Sequence, residues 1–316
     1  MNKTATDKLI SNGVNTKRHA VVTGGAGFIG SHLAATLLAD GYVVSVVDNL
    51  SGGKREKVPE GAVFFEQDIN DTTALSKVMS GAEFVFHFAA LPRVQFSIEH
   101  PIETHRANVD GIVSVLKAAK DAGVKRVVYS ASSSAYGDQK VMPLTEDMPA
   151  SPKSPYGLHK YIGELYCRLW SEVYDLQTVS LRYFNVYGPG ADPEGAYALV
   201  IAKFLKQRAL GRPMTITGDG SQTRDFTHVR DVVRANMLAA HSQKVGKGEV
   251  INIGAGQNAS VTRVAELIGG PIEYIASRLE PHDTLADNTR AKELLGWEPT
   301  VSLEEGIAEL KKEFGL

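Results

Sequence analysis

A glycine-rich segment near the start of the chain restricts the fold more than any other part of the sequence. Residues 20–23 read A-V-V-T, a pattern typical of a buried parallel strand, and glycines follow at 24, 25, 27 and 30 before a helical pattern begins. Gly25, Gly27 and Gly30 fit G-x-G-x-x-G, while Gly24, Gly27 and Gly30 fit the more open G-x-x-G-x-x-G. Such glycines permit a tight turn, bring backbone N–H groups close to a pyrophosphate, and let the helix pack against the strand. The segment therefore predicts a phosphate group bound at the N-terminus of the helix.

The residues after the glycines favour a dinucleotide as the bound molecule. Leucines within 33–38 give the next helix an apolar face, and residues 42–47 form a second strand that ends at Asp48. An acid at this point typically hydrogen-bonds the adenosine ribose hydroxyls and repels a 2′-phosphate, which favours NAD over NADP. Lys54 and Arg55, in the next loop, argue in the other direction. A glycine turn without any cofactor is the alternative.

Composition and charge exclude several classes of protein. The chain has 316 residues and a formal net charge of −2, which gives no basic surface for nucleic acid. Cys167 is the only cysteine, so an intramolecular disulfide and a cysteine-rich zinc site are excluded, and we expect a buried structural thiol and no metal. Residues 1–17 are polar and read as a flexible tail without the apolar core of a signal peptide. No apolar run reaches membrane-spanning length, so we expect a cytoplasmic protein that does not enter a membrane.

Strands and helices alternate along the first part of the chain. Alternation of this kind indicates βαβ units and a doubly wound parallel sheet, which is a Rossmann-like α/β fold. Further strands are predicted at 62–65, 83–88, 127–130, 178–182 and 249–253, and further helices at 98–122, 156–174 and 229–241.

The pattern becomes irregular after Asn185, where Gly and Pro cluster at 188–190 and 192–195. We predict an NAD-binding domain over 18–185, to which 226–256 return, and a smaller α/β substrate-binding lobe formed by 186–225 and 257–316.

Tyr156 and Lys160 are candidates for acid–base chemistry. Their spacing of four places both side chains on one face of a helix, where an ammonium group is expected to lower the pKa of a phenol. Ser132 follows the fifth strand, at the edge of the sheet where the cofactor crevice opens. A chance pair on a surface helix and a serine-rich cap are the alternatives. His87 is expected to be a histidine of the core or one that supports the site from behind, rather than a catalyst.

With these motifs the chain resembles the extended short-chain dehydrogenase/reductases, and within them the nucleotide-sugar epimerases that act at carbon 4 of UDP-glucose and UDP-N-acetylglucosamine. The resemblance extends from residue 19 to about residue 312. It rests on T-G-G-A-G-F-I-G-S-H at 23–32, D-N-L-S-G-G at 48–53, F-A-A at 88–90, N-V-D-G at 108–111, S-S-S at 132–134, Y-G-L-H-K at 156–160, R-Y-F-N-V-Y-G-P-G at 182–190, G-D-G-S-Q-T-R-D-F at 218–226, A-D-N-T-R-A-K at 286–292 and L-G-W-E-P at 295–299.

The resemblance implies NAD-dependent 4-epimerisation of a UDP-hexose through a transient 4-keto sugar. It also implies a homodimer that pairs through the helices at 98–122 and 155–174, although apolar stripes on these helices fit internal packing equally well. It implies that Ser132 hydrogen-bonds the sugar 4-oxygen, Tyr156 takes its proton, and Lys160 holds the nicotinamide ribose. The implied cofactor-binding residues are Gly24, Gly27, Phe28, Ile29, Gly30, Asp48, Asn49, Asp68, Ile69, Ala89, Ala90, Asn108, Tyr156 and Lys160. The implied substrate-binding residues are Arg93, Ser132, Ser133, Ser134, Asn185, Arg224, Arg278 and Thr284.

Several alternatives stay open. Asp68 is expected near the adenine amino group or as a solvated turn residue, and Asn108 either contacts cofactor or ties strand ends together. Thr284 stands where the resembled epimerases carry a tyrosine. Its smaller side chain leaves room for an N-acetyl group and so predicts activity on both acetylated and non-acetylated sugars, unless Thr284 only packs in a strand or loop. Thr217 and His282 depart from the family pattern.

Two other functions stay open. A 4,6-dehydratase or decarboxylase is the rival enzyme, although Ser133 and Ser134 stand where such enzymes carry acids. A non-catalytic NAD-binding regulator is the rival of another class.

Overall fold

A computed structural model describes residues 18–193, 199–276 and 283–316. The predicted tail at 1–17, His282 and the candidate Arg278 lie outside these described residues.

Seven strands form one parallel sheet in the order β3-β2-β1-β4-β5-β6-β9. This order reverses between β1 and β4, where a doubly wound sheet opens the crevice at the carboxyl ends of its strands. The predicted fold class is confirmed. The strands are β1 (His19–Thr23), β2 (Val43–Asp48), β3 (Val63–Glu66), β4 (Phe84–His87), β5 (Arg126–Ser132), β6 (Gln177–Tyr183), β7 (Met214–Thr217), β8 (Thr223–Asp225), β9 (Lys247–Ile253), β10 (Asn258–Ser260) and β11 (Ile272–Ile275).

Helices cover both faces of this sheet because its strands carry apolar side chains on both sides. Val22 packs in one core with Leu33 and Val232, and Val21 packs in a second core with Leu116 and Cys167 on the other face. The helices are α1 (Phe28–Ala39), α2 (Thr72–Val78), α3 (Val94–Glu99), α4 (Pro101–His105), α5 (Gly111–Asp121), α6 (Pro155–Tyr174), α7 (Val200–Ala209), α8 (Val229–His241), α9 (Val261–Ile268), α10 (Thr289–Leu295) and α11 (Leu303–Glu313). Short 3₁₀ turns occupy Arg55–Lys57 and Ser133–Ala135.

The single helix predicted over 98–122 is wrong. His100 leaves the helical conformation at φ −128° and ψ 60°, because Pro101 disfavours the helical region for the residue before it. Pro101 then starts α4 at its first position, where a missing N–H costs nothing. A π-helical segment at Arg106–Asp110 separates α4 from α5. The apolar spacing continues across both irregularities, which is why the pattern resembled one helix.

The remaining strands form two small pairs. β7 and β11 pair in parallel, and β8 and β10 pair antiparallel. A third apolar core contains Phe204, Ile216, Val264 and Leu310. β8 carries Arg224, so this part of the structure positions one of the predicted substrate residues.

Within the described ranges, no helix is both long enough and apolar enough to cross a membrane.

Candidate functional site

The turn after β1 has room for glycine only. Gly24 has a φ of +71°, and a Cβ added to it would lie 2.5 Å from the backbone nitrogen of Ala89. A Cβ on Gly30 would collide with the carbonyl oxygen of Gly24 and lie 2.9 Å from Cα of Gly25. The turn therefore passes directly against the segment after β4 and against the first turn of α1, as the glycine motif predicts.

The N-terminus of α1 is free of side-chain caps. Gly27 is the capping residue and contributes no side chain, so the first amides of the helix point outward beside the turn. Phe28 and Ile29 begin the helix, and both pack against the apolar core on that face. An anion fits this position because N–H groups and the helix dipole both favour negative charge.

Asp48 ends β2 next to the glycine turn. Its side chain is buried, with Oδ2 accepting a hydrogen bond from Ala26 N at 3.0 Å and Oδ1 accepting from Leu50 N at 2.8 Å. A carboxylate offers about four acceptor positions, so each oxygen keeps capacity for a ribose hydroxyl. Asn49, the next residue, accepts two hydrogen bonds from Ser51 and orders its own loop. The glycine turn, the uncapped N-terminus of α1 and the Asp48 carboxylate together form a site that fits a dinucleotide.

Asp68 and Asn108 serve the local backbone. Asp68 is exposed and accepts hydrogen bonds from the backbone and side chain of Asn70, in the geometry of the solvated turn that was one of two predictions. Its neighbour Ile69 is buried against Gly111. Asn108 donates to Leu91 O at 3.1 Å and accepts from Leu91 N at 2.8 Å, which fixes the strand-end segment that contains Ala89 and Ala90.

Ser132, Tyr156 and Lys160 lie together at the carboxyl end of β5. Ser132 is the last residue of β5, and its Oγ contacts the backbone and hydroxyl of Ser134 at 3.1 Å. Ser133 starts the 3₁₀ turn that follows. Interaction with the Ser132 side chain lowers the pKa of the Tyr156 phenol, against the larger effect of burial. Ser132 and Tyr156 therefore lie close together, while Lys160 is joined to β5 through the carbonyl oxygen of Ser130.

The start of α6 is held firmly. Ser154 caps the helix by accepting a hydrogen bond from Gly157 N at 3.1 Å, and Pro155 occupies the first helical position. The backbone N–H of Tyr156 donates to Ser97 Oγ at 3.0 Å. These contacts fix the position from which the Tyr156 side chain extends.

The protonation of Tyr156 differs from the sequence prediction. Burial raises the pKa of its phenol, and the hydrogen bond with Ser132 offsets only part of that shift. Lys160 does not lower the pKa as expected, because its Nζ donates to the carbonyl oxygen of Ser130 at 2.6 Å instead of meeting the phenol. Burial lowers the pKa of Lys160 to about 8. In this structure Tyr156 therefore holds its proton, and Lys160 is mostly charged at pH 7.

Sequence reasoning missed a buried ion pair one turn beyond Lys160. Glu164 Oε1 and Oε2 accept from Arg182 Nε and Nη2 at 2.8 and 2.7 Å, and both side chains are almost fully buried. The Arg182 guanidinium also lies 4.5 Å from the ring centre of Tyr136. The spacing of four between Lys160 and Glu164 could have identified Glu164 as a residue on the same side of α6, but no sequence signal indicated Arg182 as its partner.

His87 and Cys167 are structural, as predicted. His87 is buried with Nδ1 2.7 Å from Thr23 Oγ1, and burial lowers its pKa to about 3, so the ring is neutral. Cys167 is a buried free thiol, and burial raises its pKa to about 12.

Apart from the serines at the end of β5 and Arg278, which lies outside the described residues, the predicted substrate residues form one close group and one separate member. Asn185 Nδ2 donates to Thr284 Oγ1 at 3.3 Å and to Asp225 O at 3.2 Å. Arg224 precedes Asp225 and donates from Nη1 to the carbonyl of Thr223 at 2.9 Å. Arg93 stands apart at the N-terminus of α3.

Arg93 lies in the segment after β4, 3.8 Å from the carboxylate of Asp192, and both side chains are more than one-third exposed. Such an exposed pair contributes little to stability.

Comparison with known proteins places the chain in a family. The model of the NAD dependent epimerase/dehydratase family matches residues 20–254. A UDP-glucose 4-epimerase of Mycolicibacterium smegmatis is 40% identical over 93% of this chain and 97% of its own length. A UDP-N-acetyl-alpha-D-glucosaminuronate decarboxylase of Bacillus cytotoxicus is 34% identical over 93% of this chain and 96% of its own length.

Solved structures agree with this placement. A UDP-glucose 4-epimerase of Thermotoga maritima, solved with UDP-glucose, has a TM-score of 0.89 and 41% identity over 94% of this chain and 98% of its own. A UDP-N-acetylglucosamine 4-epimerase of Methanobrevibacter ruminantium, solved in complex with UDP-N-acetylmuramic acid, has a TM-score of 0.90 and 35% identity over 94% of this chain and 98% of its own. The family model also confirms NAD as the predicted cofactor. The chain therefore belongs to the NAD dependent epimerase/dehydratase family, as one of the nucleotide-sugar epimerases of the extended short-chain dehydrogenase/reductase type.

Proposed function

We propose that this protein is a 4-epimerase of UDP-hexoses. The observation that supports it best is that the start of α6, which carries Tyr156 and Lys160 on one face, lies against the carboxyl end of β5, where Ser132 stands. Lys160 Nζ donates to Ser130 O in β5 at 2.6 Å. Bound at the glycine turn, NAD would supply a reversible hydride acceptor for carbon 4 of the sugar and, in its oxidised form, a positive charge. The residues of the chain then have to hold the sugar and move one proton.

Tyr156 and Ser132 handle that proton in the proposed mechanism. Ser132 lies where it hydrogen-bonds the 4-oxygen of the sugar, and Tyr156 takes the proton of that hydroxyl and later returns it. Because burial raises the pKa of Tyr156, the phenol needs added positive charge to become a base. Lys160, whose ammonium group donates to Ser130 O in this structure, would supply part of that charge while holding the nicotinamide ribose.

The nucleotide is held on the other side of the site. Asn185, Arg224 and Arg278 are proposed to bind the diphosphate, a task that suits the planar fork of a guanidinium group. We also propose the division of the chain that the sequence analysis predicts. Residues 18–185 and 226–256 would bind NAD, and residues 186–225 and 257–316 would bind the substrate.

A decarboxylase or dehydratase is the nearest rival, and one relative is named as a decarboxylase. Those reactions need a further acid or base near carbon 4 to carbon 6 of the sugar. Here Ser133 and Ser134 follow Ser132, and Ser134 is engaged with the Ser132 hydroxyl. Hydroxyl groups of this kind do not titrate near pH 7, which favours epimerisation.

The proposed substrates are UDP-glucose and UDP-galactose, together with their N-acetylated counterparts. Thr284 is smaller than the tyrosine it replaces, and its side chain lies between Asn185 and Asp225. A threonine here leaves space that a tyrosine would occupy, which suits a 2-acetamido group.

A product assay tests the proposal. Purified protein is incubated with UDP-glucose, and separately with UDP-N-acetylglucosamine, without added NAD, and the nucleotide sugars are separated by chromatography. We expect an equilibrium mixture of the two 4-epimers of each sugar. Release of carbon dioxide from UDP-glucuronic acids, or a stable 4-keto-6-deoxy product, would instead identify the rival activities.

A further inference from the structure

A buried carboxylate without a role in the proposed proton transfer lies beside the predicted substrate residues. Asp225 ends β8 and is completely buried. Its Oδ1 accepts a hydrogen bond from Ala255 N at 2.5 Å, and its Oδ2 accepts from Gly256 N at 3.1 Å and Ala286 N at 3.0 Å. One side chain therefore joins three segments: β8, the loop after β9, and the segment 283–288.

The backbone of the same residue holds two predicted substrate residues. Asp225 N donates to Thr284 Oγ1 at 3.3 Å, and Asp225 O accepts from Asn185 Nδ2 at 3.2 Å. Asn185 has a φ of +28°, a conformation that L-residues adopt only when their surroundings hold them there. Arg224 directly precedes Asp225 in the chain. The positions of all three predicted residues, Asn185, Arg224 and Thr284, therefore depend on the position of Asp225.

We propose that Asp225 is a positioning residue that sets the relative placement of Asn185, Arg224 and Thr284 for the nucleotide diphosphate of the substrate. This inference rests on the proposed function, because the diphosphate role of Asn185 and Arg224 belongs to it. Asp225 itself does not touch the substrate; it acts through the segments that it joins.

The site is built for an ionised carboxylate. Three N–H groups converge on two oxygens, and a neutral amide in the same place would turn its own N–H₂ group toward at least one of these donors. Gly254 packs directly against the carboxylate, since a Cβ added to Gly254 would lie 2.7 Å from Asp225 Oδ2. A glutamate in place of Asp225 therefore has no room for its extra methylene group. Burial raises the pKa of Asp225 to about 6, so the group is still mostly ionised at pH 7.

The test compares Asp225→Asn with the wild type, using UDP as the probe and isothermal titration calorimetry as the measurement. UDP carries the diphosphate and no sugar, and its binding does not depend on turnover. Loss of one hydrogen bond to a charged acceptor is expected to weaken UDP binding about tenfold. KM for the UDP-sugar should rise by a similar factor, while kcat and the bound NAD content stay close to wild type.

Asp231→Asn is the matched control. Asp231 is equally buried and accepts hydrogen bonds from Thr300 N and Val301 N, so its change also removes backbone contacts between distant segments. Those segments hold none of the predicted substrate residues. We expect lower thermal stability and unchanged UDP binding in this variant. Equal weakening in both variants would reduce Asp225 to a general structural role and overturn the inference.

Thr284→Val is the second variant, and it keeps the test decisive if Asp225→Asn does not fold. It removes the hydroxyl that accepts from Asp225 N and Asn185 Nδ2 and preserves the side-chain volume. Weaker UDP binding here supports the inference, and wild-type UDP affinity in whichever of the two variants folds overturns it. The proposed function is judged separately, by whether the wild type interconverts the 4-epimers; a wild type that binds no UDP contradicts both.

Discussion

Tyr156 and Lys160 share one face of α6, yet each contacts a different partner. Lys160 reaches the carbonyl of Ser130, and Tyr156 reaches Ser132. Because burial raises the pKa of the Tyr156 phenol, the phenol is neutral at pH 7 in this structure. Proton abstraction is thus expected to depend on the assembled site as a whole.

Tyr156→Phe tests the proton acceptor. The variant keeps the ring and its packing and removes the hydroxyl, so kcat should fall by about 10²-fold or more while UDP binding is preserved. Ser132→Ala should cost less, because Ser133 and Ser134 lie close by. Tyr174→Phe, at the far end of the same helix, is the control and should leave kcat unchanged. Normal turnover by the Tyr156 variant would remove this residue from the mechanism.

Thr284→Tyr tests the choice of sugar. Added volume between Asn185 and Asp225 should exclude the 2-acetamido group by steric overlap, so turnover of UDP-N-acetylglucosamine is lost while UDP-glucose is still converted. Thr284→Val retains the space, so both sugars should remain substrates. The measurement is kcat/KM for each sugar with each variant. Equal losses on both sugars in the tyrosine variant would show that Thr284 does not select between them.

Sequence patterns located the residues but not their environments. The spacing from Gly30 to Asp48 identified the acid beside the glycine turn, because that spacing follows from one βαβ unit. The direction of the Tyr156 pKa shift was not predictable, since it depends on burial and on the carbonyl of Ser130, which comes from a different element. The role of Asp225 was hidden for the same reason, because its partners lie about 30 and 60 residues away.

At the scale of elements, the glycine turn is the most sensitive part of the cofactor site. Gly30→Ala introduces a methyl group that collides with Gly24 O in the first turn of α1. We expect the turn to shift, with loss of bound NAD and a destabilisation of about 1–3 kcal/mol. Thermal unfolding and NAD released on denaturation measure both effects.

Gly52→Ala is the control for that variant. Nothing lies within 4 Å of the position that its Cβ would occupy, in the loop after β2. NAD content and stability should both stay at wild-type levels. Retention of NAD by the Gly30 variant would show that the turn tolerates the displacement.

The elements themselves were predictable where one pattern decided them. Residues 229–241 have a strict apolar stripe and form α8 as predicted. Between residues 98 and 122 the apolar pattern predicts one continuous helix, but the ring of Pro101 disfavours the helical conformation at His100 and interrupts it there. The π-helical segment that follows has no sequence signal of its own. It contains Asn108, whose partner Leu91 is distant in the sequence and is brought close only by the three-dimensional structure.

At the scale of the molecule, an apolar stripe on α6 favours a homodimer. Leu158, Leu165, Leu169 and Val173 are 44%, 37%, 43% and 61% exposed, at spacings that place them along one helix face. Ile102 on α4 is 85% exposed. An isologous two-fold contact would cover such a stripe with its own copy. We therefore predict a dimer in solution.

Leu169→Asp tests the dimer by placing a charge in the stripe. Sedimentation analysis should find dimeric wild type and monomeric variant. Leu210→Asp is the control, because Leu210 is 55% exposed at the end of α7 and should not alter association. A monomeric wild type, or a dimer that survives the Leu169 change, would contradict the assignment of this face.

The whole reaction cycle, finally, sets how tightly NAD has to be held. A 4-epimerase regenerates its cofactor in every turnover, so release of NAD serves no step, and a tight site is compatible with fast catalysis. The close-packed glycine turn, the uncapped end of α1 and Asp48 at the end of β2 are the residues that we propose for such a site. We predict that the protein purifies with NAD bound and that added NAD barely stimulates it. Denaturing the protein and assaying the supernatant for dinucleotide checks this, with the Gly30→Ala variant as the sample expected to be depleted. Protein free of dinucleotide that consumes added NAD in proportion to product would instead be an ordinary dehydrogenase.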